Sequence, residues 1–406
     1  MKFIDIFMQL FSFKLGRYIL TLLVFLLIPN IVSAVDITNM YQVDIQVKEQ
    51  SNTARWKASL EGFKQVLVRR SGSSRILNSS ETLKAYKKVT SYLQKFEYSS
   101  NTEVIDGNNY VISLYFEPRL IDNLIKSANQ QLWDFNRPVT ILWLAQEELA
   151  RNSSLYRRII VENPNEIDMY TLISKNSKRR GVPIILPLMD LEDDLLVTQS
   201  DVWGRFPEAI INANNRYSVD SMIIGKIYQR DGLWLGQFTY LNKTRSVSFH
   251  HQSEDVKTIY KQMFDSLAET LCEQYCVTQV VSETSSLFLE IENISSFKSF
   301  QILKKYLSEL SAVRQVDVLN IHQDKVLLRV SLLSSEQAVI DSLSLNRHLE
   351  LIEKEKEAID ENADTFIVKV EPESLNVEEL KIRNDTNTIE IKPVIEPNTI
   401  FYRWID

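Results

Sequence analysis

Tyr41-Gln-Val-Asp-Ile-Gln-Val47 alternates apolar and polar side chains, and just beyond it Trp56, Leu60, Phe63 and Leu67 recur at spacings of four, three and four. A period of two belongs to a strand with one buried face. A period near 3.6 belongs to a helix with one buried stripe. A chain that switches between them repeatedly must cover sheets with helices, and this one does so in three successive regions.

Residues 37–136 read β-α-α-β-β-α. Gly72, after Arg69-Arg70-Ser71, is placed to stop the first helix, and Ser80 to cap a short second one. Strands follow at Tyr92–Tyr98 and Tyr110–Phe116, with Asp106-Gly107 as the turn, and Leu120, Leu124 and Ile125 begin a helix after Pro118. Residues 139–277 open with Val139-Thr-Ile-Leu-Trp-Leu144, apolar throughout as suits a strand buried on both faces. The pattern then predicts a polar helix at Glu166–Arg180, a strand at Val182–Pro187 and a helix at Phe206–Tyr217. Three strands at Met222–Tyr228, Leu233–Leu241 and Ser246–His251 precede a long helix bearing Ile259, Met263, Leu267 and Leu271. Residues 286–345 read β-α-β-β-α, with Phe300, Leu303, Leu307 and Leu310 as the helix face. The expected fold class is therefore α+β or mixed α/β: three small sheet-plus-helix domains.

The two ends differ from this body. Lys2, Lys14 and Arg17 precede an unbroken apolar run, Tyr18–Ile28, then Pro29-Asn30 and the small residues of Val32-Ser33-Ala34. That order is a secretory signal, expected over residues 1–34 with cleavage between Ala34 and Val35. The run is shorter than the roughly 20 residues that span a bilayer comfortably, and an uncleaved inner-membrane anchor is the other reading. No later segment is apolar enough to cross a membrane. Residues 346–406 are expected to be an acidic, mostly disordered tail: from Arg347 on there are 15 acidic against 8 basic residues. Its closing Tyr402, Arg403 and Trp404 break that pattern, docking either on the body or on a partner.

Because the whole chain carries a net charge of −7 and the tail accounts for all of it, the body is near neutral. A neutral body lacks the positive footprint that nucleic acid requires. Glycine is scarce, nine in all and none after Gly236, and no Gly-rich phosphate loop exists. Asp190, Glu192, Asp193 and Asp194 cluster after a buried strand, where hard cations would find carboxylates, but without the glycine and spacing of a calcium loop. Trp203 and Arg205 nearby suggest a recognition patch. His250 and His251, adjacent on a strand, are expected to face opposite sides, which argues against a shared metal. No Gly-x-Ser-x-Gly elbow is present. The only cysteines, Cys272 and Cys276, are a disulfide candidate in an oxidising compartment. Positions four apart in a regular helix aim their Cβ atoms poorly for a bridge, so the helix is expected to end around Gln274-Tyr275. A redox pair or a metal site are the alternatives.

Several segments together resemble a bacterial family catalogued as domain of unknown function number 2066. They are Arg69-Arg-Ser-Gly72, Gly181-Val-Pro-Ile-Ile-Leu-Pro-Leu-Met-Asp190 with Glu192-Asp193, Asp201-Val-Trp-Gly204, Arg216-Tyr217 with Asp220 and Gly225, and Tyr402-Arg-Trp404. Arg70, where a small apolar residue is expected, and the long acidic tail depart from its pattern. The resemblance implies an envelope-associated protein with no assigned activity.

The function expected is that of an exported periplasmic protein acting as a non-enzymatic binding or assembly module of the cell envelope. Its partners would be envelope proteins or the wall, not nucleic acid, with no cofactor and no membrane span beyond the signal segment. The partner surface is sought at Asp190, Glu192, Asp193, Trp203, Arg205, Tyr402 and Trp404. The alternative is a metal-dependent or hydrolytic envelope enzyme using the acidic loop at Asp190–Asp194.

Overall fold

The computed structural model describes residues 39–100, 109–149, 156–161, 167–278, 285–352, 366–368, 389–391 and 399–405. The signal segment, the Ala34–Val35 cleavage point, the Asp106-Gly107 turn and most of the tail lie outside them. The architecture is α+β with mixed sheets. Among the described residues no helix is long and apolar enough to cross a membrane.

In the first unit β1 (Gln42–Val47), helix α1 (Asn52–Ser71), the short α2 (Ser80–Tyr86), β2 (Leu93–Ser100), β3 (Tyr110–Phe116) and α3 (Pro118–Ser127) follow the expected order. The strands form an antiparallel sheet in the order β1-β3-β2. The Ser51 hydroxyl accepts the Ala54 N–H at 3.2 Å and so starts α1. Gly72, with φ of 69°, ends it. The stripe that α1 buries is Ala58, Phe63, Val66 and Leu67, and Trp56 stays exposed. Gly62 lets the helix settle on the sheet: a Cβ there would stand 2.6 Å from Val43.

A two-residue strand, β4 (Leu132–Trp133), leads to the second unit. There β5 (Thr140–Leu149), β6 (Tyr156–Ile160), α4 (Ile167–Arg180), β7 (Ile184–Ile185), α5 (Leu191–Leu196), α6 (Gln199–Gly204), α7 (Pro207–Asn214), β8 (Ser221–Arg230), β9 (Leu233–Leu241), β10 (Ser246–Ser253) and α8 (Val256–Tyr275) succeed one another. The sheet order is β10-β9-β8-β5-β6, with β7 also paired to β5. The β5–β8 and β5–β7 pairings are parallel, the others antiparallel. Helices α4 and α8 cover one face through Met169, Ile173, Ile259, Met263, Phe264 and Leu267. On the other face a smaller cluster packs Val202, Ile210 and Ala213 of α6 and α7 on Ile141, Trp143 and Ile224. The strand expected over Val182–Pro187 keeps only two residues, because Pro183 and Pro187 lack the N–H a ladder needs.

β11 (Cys276–Val277) leaves α8 and pairs with β4. The third unit then runs β12 (Ser286–Glu292), α9 (Phe297–Glu309), β13 (Val313–His322), β14 (Lys325–Leu332), α10 (Glu336–Ser344) and β15 (Leu349–Leu351). Past it, β16 (Phe366–Val368) pairs with β17 (Ile389–Ile391). The surprise is β18 (Thr399–Trp404). It lies inside the third sheet, parallel to β12 and antiparallel to β15, in the order β13-β14-β12-β18-β15. Tyr402 and Trp404, expected as partner surface, are 2% and 3% exposed and belong to the core. The alternation of the segment explains the correction: Tyr402 and Trp404 point inward, while Arg403 between them reaches Glu292 at 3.1 Å and Glu350 at 3.7 Å.

Four buried arginines hold the three units together. Arg69 donates to the Gln42 carbonyl at 2.7 Å. Arg137 lies 3.9 Å over the Trp133 ring and donates to the carbonyls of Arg69 and Gly181, each at 2.7 Å. Arg180 reaches the Gly72 carbonyl at 2.9 Å and Asp265 at 3.3 Å. Arg70, the residue foreign to the resemblance, pairs with Asp122 at 3.0 Å and Asp134 at 3.5 Å and donates to the Ser311 hydroxyl at 3.3 Å. Asp134 in turn accepts the Ser311 N–H at 2.9 Å, so this network ends in the third unit. Burial lowers the Arg70 pKa, but Asp122, Tyr41 and Asp134 more than offset it, and its charge is held firmly.

Candidate binding face

The acidic segment forms the short helix α5, exposed except at Asp193. Asp190 caps α5 by accepting the Asp193 N–H at 3.2 Å. Arg216 clamps the Asp190 carboxylate with two bonds of 2.6 and 2.7 Å and reaches Asp193 at 3.3 Å. Asp193 is fully buried and also accepts from the Tyr217 hydroxyl at 2.5 Å and the Met189 N–H at 3.0 Å. Glu192 stands exposed, 3.6 Å from Arg216. These carboxylates fix α5 against the Arg216-Tyr217 segment. The Arg216 bonds hold the Asp190 pKa down, at about 2. Among the described residues no group of three or more metal-ligating side chains comes together.

Trp203 and Arg205 sit elsewhere, on the sheet face that α6 and α7 only half cover. α6 is capped by Thr198, whose hydroxyl and N–H form a reciprocal box with Asp201. The helix ends at Arg205, which takes the left-handed conformation with φ of 61°. This places the Trp203 ring 5.8 Å from that of Tyr228 and the Arg205 guanidinium 3.3 Å from the Thr239 hydroxyl. Register supplies the rest. Lys226 and Tyr228 share a face of β8. Lys226 pairs with Gln237, and Thr239, two residues on, pairs with Ser248. On the far side of β5, Arg158 of β6 pairs with Glu147.

The outcome is a group of cations around two rings. The Arg158 guanidinium lies 4.0 Å over the Trp203 ring, and the Lys226 ammonium is 5.2 Å from that ring and 6.0 Å from Tyr228. Arg230 stands 5.8 Å from Tyr228. Arg158 has a counter-ion in Glu147 at 3.6 Å. Among the described residues Arg205, Lys226 and Arg230 have none. Burial, with Arg205 and Arg158 adding repulsion, pulls the Lys226 pKa below its ordinary value. Sequence reasoning found Trp203 and Arg205 but missed Arg158, Lys226 and Tyr228. The signal was there in part: Lys226, Tyr228 and Arg230 alternate at the end of a strand whose first half holds an apolar run, Met222-Ile223-Ile224, marking the half of its face that no helix covers.

Two further arrangements bear on chemistry. Cys272 and Cys276 are joined by a disulfide, with α8 ending at Tyr275 and Cys276 extended. The sulfurs lie against Gly72 of the first unit. His251 and Ser266, which the sequence did not bring together, meet at 3.0 Å and tie β10 to α8. His251 points to α8 with Phe238 and Phe249, on the opposite side of β10 from His250.

Comparison with known proteins adds one relationship. Residues 34–134 match the family model described as a domain of unknown function (DUF8605). The match spans the first unit through Asp134 of the arginine junction. A family of unknown function is thus found, but it is number 8605 and not 2066, and it covers this first part alone. No curated protein and no solved structure matches the chain.

Proposed function

We propose that the protein is exported and works without catalysis, as a binding or assembly module of the bacterial cell envelope. Its binding face is the open half of the second sheet. The observation that carries this reading is the company Trp203 keeps: a half-buried aromatic with Tyr228, Arg158, Lys226 and Arg205 around it, on strands held by a packed core. Aromatic and arginine side chains fixed in place dominate binding hot spots because they bury much surface at small entropic cost. The charged signal order before Val35 supports export. The buried arginine junction supports a rigid scaffold that presents this face. The engagement of Asp190 and Asp193 by Arg216 supports this reading over the hydrolytic alternative at Asp190–Asp194.

The test is saturable retention of tagged mature protein on washed envelope preparations, compared with W203A and a charge-matched variant at a remote position. Retention lowered at least tenfold by W203A and unchanged in the remote variant is expected. Equal retention by all three proteins would refute this assignment of the face. Mass spectrometry of the natural protein, expected to begin at Val35, tests export.

A further inference from the structure

The open face carries more positive charge than its surroundings neutralise. Glu147 answers Arg158. Arg205 and Lys226 stand one pleat step apart, through the Thr239 and Gln237 positions of β9, with no carboxylate among the described residues to pair with either. The Arg205 Nε is buried and donates to nothing. An unused buried N–H costs free energy unless something accepts it. Arg205 also occupies a left-handed position at a helix end, where glycine would be at ease and any other residue is strained by about 1 kcal/mol or more. The turn itself therefore does not call for arginine. Beside it Thr239 and Ser248 share a hydroxyl–hydroxyl bond of 3.1 Å, and Thr239 already accepts from the Arg205 Nη1.

We infer that Arg205 and Lys226, with the Thr239–Ser248 hydroxyls, form a binding site for a phosphate monoester, with Trp203 and Tyr228 as the wall on which the rest of the ligand lies. Phosphate is favoured over carboxylate by count. Arg205 and Lys226, two of the three cations here without a counter-ion among the described residues, match a phosphate monoester of about −1.5 to −2 charge, whereas a carboxylate leaves one of the two unanswered. Arg205 offers its Nη2 to one non-bridging oxygen while Nη1 stays on Thr239, Lys226 supplies a point charge to a second, and the hydroxyl pair serves the third. The phosphate can come from a small soluble ester or from a lipid headgroup. This inference rests on the binding-module reading and gives its ligand a chemistry.

The experiment uses the full mature chain in phosphate-free buffer at fixed ionic strength. Titration calorimetry with glycerol 3-phosphate is one arm. Flotation with phosphatidic acid vesicles, against phosphatidylcholine, is the second. Polyglutamate is the third. R205Q and K226Q are compared with wild type, and K226R, which keeps the charge, serves as the folding-neutral control. Saturable binding in the first arm, weakened at least tenfold in R205Q and K226Q and retained in K226R, supports a soluble ester. The same pattern in vesicles alone supports a lipid phosphate. Polyglutamate binding without either phosphate form, or phosphate binding untouched by both variants, overturns the inference. So does the absence of binding in every arm. If R205Q and K226Q lose envelope retention while no phosphate binds, the module reading stands and the ligand assignment falls. If phosphate binding is lost and retention is not, the reverse holds.

Discussion

A Cβ built on Gly72 would stand 2.3 Å from the Sγ of Cys272. The stop signal of the first long helix and the staple at the end of the last helix of the second unit are therefore one contact. Gly72→Ala meets two penalties. The left-handed backbone costs a non-glycine residue about 1–2 kcal/mol, and the sulfur must be displaced besides. Urea denaturation should show a loss of about 2 kcal/mol or more. An unchanged midpoint would mean that the two elements separate without cost.

The disulfide itself closes a very short loop, so its effect on the unfolded chain is small, about 2 kcal/mol. The C272S/C276S double variant should fold and keep its cooperative transition, with a midpoint lowered by that amount. Failure to fold would show that the bridge is required for the junction to form.

Arg70→Met leaves Asp122 and Asp134 without their cation in a buried site. Removing one partner of a buried pair costs about 3–5 kcal/mol. The loss should be felt in all three units, because Asp134 also holds Ser311. Denaturation followed by hydrogen exchange in each unit is the measurement. A loss confined to the first unit would contradict the shared junction.

Asp190 gives a pH dependence. Arg216 lowers its folded-state pKa to about 2, so the pair favours the folded state above the ordinary carboxylate value, and that contribution disappears as pH falls toward 2. The Asp190 side chain is partly exposed, so solvent screening keeps the effect to ~1 kcal/mol or less. D190N should flatten the fall of the urea midpoint between pH 4 and pH 2. An identical slope in both proteins would remove the pair from the ledger of acid sensitivity.

Trp404→Ala opens a cavity in the third core and should cost about 3–5 kcal/mol, read as unfolding of that unit at lower denaturant than the second. Retention of wild-type stability would put Trp404 back on the surface.

Local periodicity carried most of what was readable in advance. The Tyr110–Phe116, Leu233–Leu241 and Val256–Tyr275 segments lie where alternation and helical spacing put them. What was illegible depended on distance in sequence. The acidic cluster of α5 reads as a candidate cation site because the cation that engages it, Arg216, lies more than twenty residues away. Trp56 fits the helical stripe of α1 yet remains exposed, since Ala58 and Gly62 bring the sheet against a neighbouring line of the helix. Arg158 and Lys226 are ordinary strand residues until β5 brings β6 and β8 to its two sides. Tyr402 and Trp404 were recognised as misfits in an acidic tail, but nothing near them indicates that β12, more than a hundred residues earlier, is their partner.

The place of β18 has a consequence in time. A chain emerging residue by residue can complete its first two sheets as it appears, because their strands come from continuous stretches. The third cannot. Until Thr399–Trp404 arrives, β12 presents an open edge and β15 has no neighbour at all. Every shorter chain, whether nascent, truncated or cut in the stretch between β15 and β18, leaves that edge free to pair with another molecule. β18 thus closes the third sheet late, and molecules that lack it should be marked by aggregation, not by loss of the first two units.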